Sequence, residues 1–126
     1  MTRRIAIFLT CTLVAATAHA QSSGQEKPVL EMTKANWIAL RDFNGQQLVY
    51  FTHLESWRCG IAQVRYSVNS DALDHVWQLQ PCDQQNPNAV TTDKPYIAFP
   101  GGSVQSVAVQ LTYRDGTTSQ VAHFKQ

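Results

Sequence analysis

The sequence predicts an all-β fold, a small antiparallel β-sandwich of immunoglobulin or fibronectin type with about seven strands and one disulfide. Three observations lead there. Apolar runs recur between turn signals spaced about eight to twelve residues apart. Val107, Val109, Leu111 and Tyr113 alternate with Ser106, Ala108, Gln110 and Thr112 over a full strand. No stretch sustains a helical period, although 71–75 has room for one helical turn. A small closed barrel satisfies the same pattern. The Cys59 to Cys82 spacing is far shorter than the inter-sheet disulfide of antibody domains, so the sandwich rests on pattern alone.

With 126 residues, 44% of them hydrophobic, the chain has room for one domain and enough apolar surface for its core. Residues 1–20 read as a signal peptide: Arg3 and Arg4 are basic, 5–16 is a short apolar run, and Ala18-His19-Ala20 has the small-x-small cleavage pattern. An uncleaved anchor would need a longer run with a stop-transfer flank, and a lipid-modified Cys11 would need a smaller residue than Thr10 before it. Residues 21–35 are mostly polar and read as a flexible segment, with Val29 and Leu30 as a short edge strand. Residues 36–126 are the β-sandwich domain.

The elements follow in order. Trp37, Ile38 and Leu40 predict a strand over 36–41, and Asn44-Gly45 a two-residue hairpin turn, since both central residues must accept positive φ. The partner strand, 46–53, is apolar on both parities at Leu48-Val49-Tyr50-Phe51, as a strand covered on both faces would be. A long strand over 59–69 changes parity between Ile61 and Val64, which a one-residue bulge at Ala62 or Gln63 reconciles. Short strands at 76–79 and 95–99 flank a polar surface loop, 83–94, pinned at its start by Cys82. Asp115-Gly116 closes the last hairpin. A type I′ turn there pairs Val109 with Ala122 and Val107 with Phe124, leaving His123 beside Ala108 on the outer face, whereas a longer glycine-bulged turn shifts the register by one and brings Val121 inward.

Removing the leader takes Arg3 and Arg4 from ten basic residues, leaving eight against nine acidic ones. That balance, with no Lys/Arg cluster, argues against nucleic acid or anionic lipid as a partner and against stable membrane insertion after leader removal. Removing Cys11 leaves Cys59 and Cys82, an even pair expected to form a disulfide in an oxidising compartment, the periplasm or the exterior. Closing that loop contributes about 3 kcal/mol in the loop-entropy account.

Catalytic chemistry finds little footing. His53, His75 and His123 have no nucleophile-elbow glycine pattern near any Ser or Cys, and each reads as an ordinary strand-end or surface histidine. The nearest thing to a metal site combines His53 and Glu55, which would share a face of a strand, with Asp71, Asp74 and His75; no HExxH, paired CxxC, phosphate loop or calcium loop is present. The expectation is therefore no enzyme, no cofactor and no metal.

Aromatic side chains carry more. Trp37 and Trp77 are assigned to the core, while Trp57, beside Arg58 and tied by Cys59 to the polar loop, has the make-up of a recognition edge, with Tyr96 as a further candidate. The function expected is a non-enzymatic binding or adaptor module for a protein or glycan partner. Two other classes stand beside it: an inhibitor inserting a loop into an exported hydrolase, and a small metal-binding or hydrolytic protein. A flat aromatic patch favours the first, a rigid presented loop the second, and a pocket of converging polar groups the third.

Overall fold

Among the described residues seven strands run in order: β1 (Ala39–Phe43), β2 (Gln46–Tyr50), β3 (Ile61–Val68), β4 (His75–Trp77), β5 (Tyr96–Pro100), β6 (Ser106–Tyr113) and β7 (Ala122–Lys125). They form two antiparallel sheets, β1-β2-β5 and β4-β3-β6-β7, and close no barrel. This is a small β-sandwich, with Val49 of one sheet and Val64, Val107, Val109 and Leu111 of the other in one core cluster. The computed structural model describes residues 11–13 and 24–126. The expected leader, apart from 11–13, lies outside the described residues; Cys11 is an exposed free thiol. No described helix is long and apolar enough to cross a membrane.

Asn44 and Gly45 take φ of 53° and 76°, the paired positive values that a two-residue I′ turn requires, so Phe43 faces Gln46 and every later pair in the β1–β2 ladder follows. The bulge in β3 stands where the parity change demands it. Ile61 pairs with Tyr113 and Gln63 with Thr112, which makes Ala62 the extra residue and lets Ile61, Val64 and Tyr66 all turn inward.

The last hairpin combines the two registers considered from sequence. Gly116 adopts φ 85°, the Gly116 amide bonds the Tyr113 carbonyl, and the Ser119 amide donates to the Leu111 carbonyl while the Leu111 amide donates to Ser119 Oγ, which is the glycine-bulged register. Beyond Ser119 one further residue is inserted, and Val109 then faces Ala122 and Val107 faces Phe124, as the I′ register had it. Val121 therefore stays exposed and Ala122 is buried.

Four local expectations are corrected. Val29 and Leu30 form no edge strand; they lie in helix α1 (Glu26–Met32), whose Leu30 is fully buried. Residues 36–38 are not strand: a 3-10 turn over Lys34–Asn36 delivers Trp37 into the core, where its indole N–H donates to the Leu30 carbonyl at 2.9 Å. That bond answers the one polar atom of a side chain with no exposed surface. The strand beginning at Gln46 stops at Tyr50 and helix α2 (Thr52–Ser56) follows, with Leu54 and Glu55 buried. Residues 71–75 make no helical turn; Leu73 takes φ 49° and the chain enters β4 at His75.

Helix α1 closes one end of the sandwich. Lys27 pairs with Asp115 at 2.9 Å and reaches Thr117, while the Tyr113 hydroxyl donates to Glu31. Burial raises the Tyr113 pKa and the Glu31 bond adds to it; the same bond, more than Lys34 nearby, lowers that of Glu31. Gly60 makes this docking possible, since a Cβ there would stand 2.2 Å from Glu26 Cβ.

Candidate functional site: an aromatic sheet face and a clamped loop

The ladder of β1, β2 and β5 sets the rows of one sheet face. Ala39, Tyr50 and Tyr96 are aligned; so are Arg41, Leu48 and Ala98, and then Phe43, Gln46 and Pro100. The alternate residues Leu40, Val49, Ile97 and Phe99 belong to or pack on the core, so the rows just named face away from it. Leu48 lies at the centre, 5% exposed yet outside the core cluster. Tyr50 and Tyr96 are half-buried with ring centroids 5.1 Å apart, and Phe43, 52% exposed, carries the Arg41 guanidinium 4.8 Å from its ring centre. Arg41 is the one ionisable group with an unambiguous charge among these nine residues. Aromatic rings and arginine without lysine or carboxylate is the composition of an interface core. Tyr96 was legible from sequence; Tyr50, Leu48, Arg41 and Phe43 were not. The I′ turn at Asn44-Gly45 carried their pairing, but not the choice of which face looks outward.

Arg58 does not belong to such an edge. It is 3% exposed. Its Nε donates to the Pro81 carbonyl at 2.8 Å, and Nη1 donates to those of Glu55 at 2.9 Å and Ala89 at 2.7 Å, with Pro87 further off at 3.5 Å. Trp57 is half-buried and packs against the core. For Arg58 the sequence signal misled, because an arginine before a disulfide cysteine looks the same whether it faces a partner or holds its own loop.

What Arg58 holds is 80–91. The Cys59–Cys82 disulfide is formed, with Cα atoms 4.9 Å apart. The Gln80 and Thr91 side chains bond at 2.6 Å across the loop's base, Asn88 donates to the Ser56 carbonyl at 2.7 Å, and Asp83 accepts from the Gln85 and Asn86 amides. Residues 83–89 are exposed throughout. A stretch of this length with its ends joined, held by its own side chains, is an Ω-loop.

Trp77 packs against the core as assigned, stacked on Phe51 at 4.2 Å, with its indole N–H donating to Glu55 at 2.9 Å. Glu55, 1% exposed, also accepts from the Gln80 amide, so its carboxylate is used within the fold. The imagined metal pairing of His53 with Glu55 fails because 52–56 is helical, where residues two apart diverge. His53 instead meets the Thr33 hydroxyl at 2.8 Å. Thr33 spends its proton on the Val29 carbonyl, so His53 Nε2 must be the donor. Burial lowers the His53 pKa. His123 and Asp71 pair at 3.0 Å on the surface, and His75 lies 3.7 Å from Asp74. No three His, Cys, Asp or Glu side chains among the described residues converge as metal ligands.

No family model, no curated protein and no solved structure matches this chain.

Proposed function

We propose that this chain is an exported, non-enzymatic binding module that recognises a protein or glycan partner through the face carrying Tyr96, Tyr50, Phe43, Arg41 and Leu48. The observation that carries the reading is the aromatic and arginine composition of that face. A rigid sheet bearing tyrosine and phenylalanine rings binds with little ordering cost, and such side chains carry a disproportionate share of interface energy. Export to the periplasm or the exterior is supported by the leader pattern of residues 1–20 and by the disulfide. In this reading the module needs no cofactor and engages neither nucleic acid nor the membrane.

A second reading has its own observation. The clamped loop at 80–91 has the pre-organisation of an inhibitor loop entering the cleft of an exported hydrolase. The two separate in one experiment. The full chain is used as bait in an envelope extract and on a glycan array, beside Tyr96→Ala and an Asn86→Ala, Asn88→Ala double variant. Under the leading reading Tyr96→Ala weakens the specific ligand by roughly thirtyfold, about 2 kcal/mol, with an unchanged melting temperature. Loss confined to the loop variant, together with inhibition of a captured hydrolase, replaces it with the inhibitor. Unchanged binding by both variants refutes both.

A further inference from the structure

We propose that the pocket beside β4 binds a carboxylate. The inference starts from the unused part of the Arg58 guanidinium. Nε and Nη1 donate to backbone carbonyls, but Nη2 bonds nothing among the described residues, and no carboxylate lies within ion-pair distance of any Arg58 nitrogen. No described side-chain nitrogen or oxygen that is sealed from solvent lacks a partner, so Nη2 opens onto reachable space. Arg58 lines a pocket of about 310 Å³ between β4, the start of β3 and the 78–81 segment.

Arg114 lines the same pocket. Its backbone amide holds the Gly60 carbonyl at 3.0 Å, whereas its guanidinium makes no hydrogen bond or ion pair among the described residues. Gln63, Gln78 and Gln80 add amides, Val76 and Leu79 add apolar wall, and no acidic side chain lines the space. Glu55, the nearby buried acid, is taken up by the Trp77 indole and the Gln80 amide.

A guanidinium withdrawn from water whose direct bonds are all to carbonyls still has Nη2 to offer, and a carboxylate is the anion whose geometry matches its planar fork. The volume is at the small end of ligand pockets, enough for one acid group on a short aliphatic body. Strand β4 is a sheet edge, so an extended peptide can lie along it with its terminus in the pocket, and a free small organic acid presents the same group.

The test uses the full, oxidised, isotope-labelled chain at fixed ionic strength. Three probes are titrated: acetyl-trialanine with a free C-terminus, its C-terminal amide, and sodium propionate. The expected result is a saturable shift of the Arg58 side-chain N–H and Gln80 amide signals with the acid forms and none with the amide. Arg114→Gln should weaken that binding about tenfold or more, with the thermal midpoint held within about 2 °C. Response to the peptide acid alone assigns a chain terminus as the ligand; an equal response to propionate assigns a free acid. Absence of a saturable shift, an equal response to the amide, or unaltered affinity in Arg114→Gln overturns the proposal.

Discussion

Replacing Arg58 with alanine should open the 80–91 loop while leaving both sheets intact. Three of its contacts are good hydrogen bonds, at 2.8, 2.9 and 2.7 Å, and the fourth at 3.5 Å contributes little. A bond from a charged donor contributes about 1.5–3 kcal/mol, reduced here because the Pro81 and Ala89 carbonyls recover water once the loop loosens. At about 1–1.5 kcal/mol apiece, Arg58→Ala costs about 3–4.5 kcal/mol. Arg58→Lys should recover only a part, about 1 kcal/mol, because an ammonium cannot fork between carbonyls on opposite sides. The disulfide restrains the same loop, so removing both cysteines as alanines should couple to Arg58→Ala by about 1 kcal/mol in a double-mutant cycle. Urea unfolding followed by tryptophan fluorescence gives the four stabilities, and limited proteolysis reports cleavage within 83–89. A loss below about 1 kcal/mol in Arg58→Ala, or additivity within about 0.5 kcal/mol, would refute the clamp.

Three further outcomes are expected. Trp57→Ala and Trp77→Ala should both lose stability, about 2–3 and 3–5 kcal/mol by chemical denaturation, since both rings pack on the core and Trp77 also answers the buried Glu55; a Trp57 loss under about 1 kcal/mol would restore an exposed role for that ring. Gly60→Ala should displace α1, because the new methyl meets the Glu26 Cβ rather than a flexible tip, and a melting temperature unchanged from wild type would show the helix docks elsewhere. Burial lowers the His53 pKa from its ordinary 6.5, so the folded state binds fewer protons than the unfolded one; its contribution is complete above pH 6.5 and is lost as pH falls below that. His53→Gln keeps a donor for Thr33 and should flatten stability between about pH 5 and 7; an unchanged slope there assigns it to other groups.

The all-β class, the disulfide, the Asn44-Gly45 turn, the bulge at Ala62 and the Val107 to Tyr113 core strand were legible from the residues. Each depends on local chemistry: a period of two, a pair of residues tolerating positive φ, or a cysteine count that is even once Cys11 is set aside with the leader pattern. The last hairpin shows where local reasoning stops. Asp115-Gly116 signals a turn, but the pairing of Val109 with Ala122 depends on an inserted residue after Ser119 that balances the glycine bulge, and burial of Ala122 rather than Val121 selects it.

Tertiary structure alone decided the candidate site. The run at Leu48-Val49-Tyr50 is apolar on both parities, so the sequence cannot say which residues look outward. The opposing sheet takes Val49 into the core and leaves Leu48 and Tyr50 with Tyr96 and Phe43 on the other face. Arg58 shows the same limit in reverse. Its targets, the carbonyls of Pro81 and Ala89, are 23 and 31 residues away in sequence. Every residue carries a carbonyl, so no pattern of side chains announces which of them a buried guanidinium will hold.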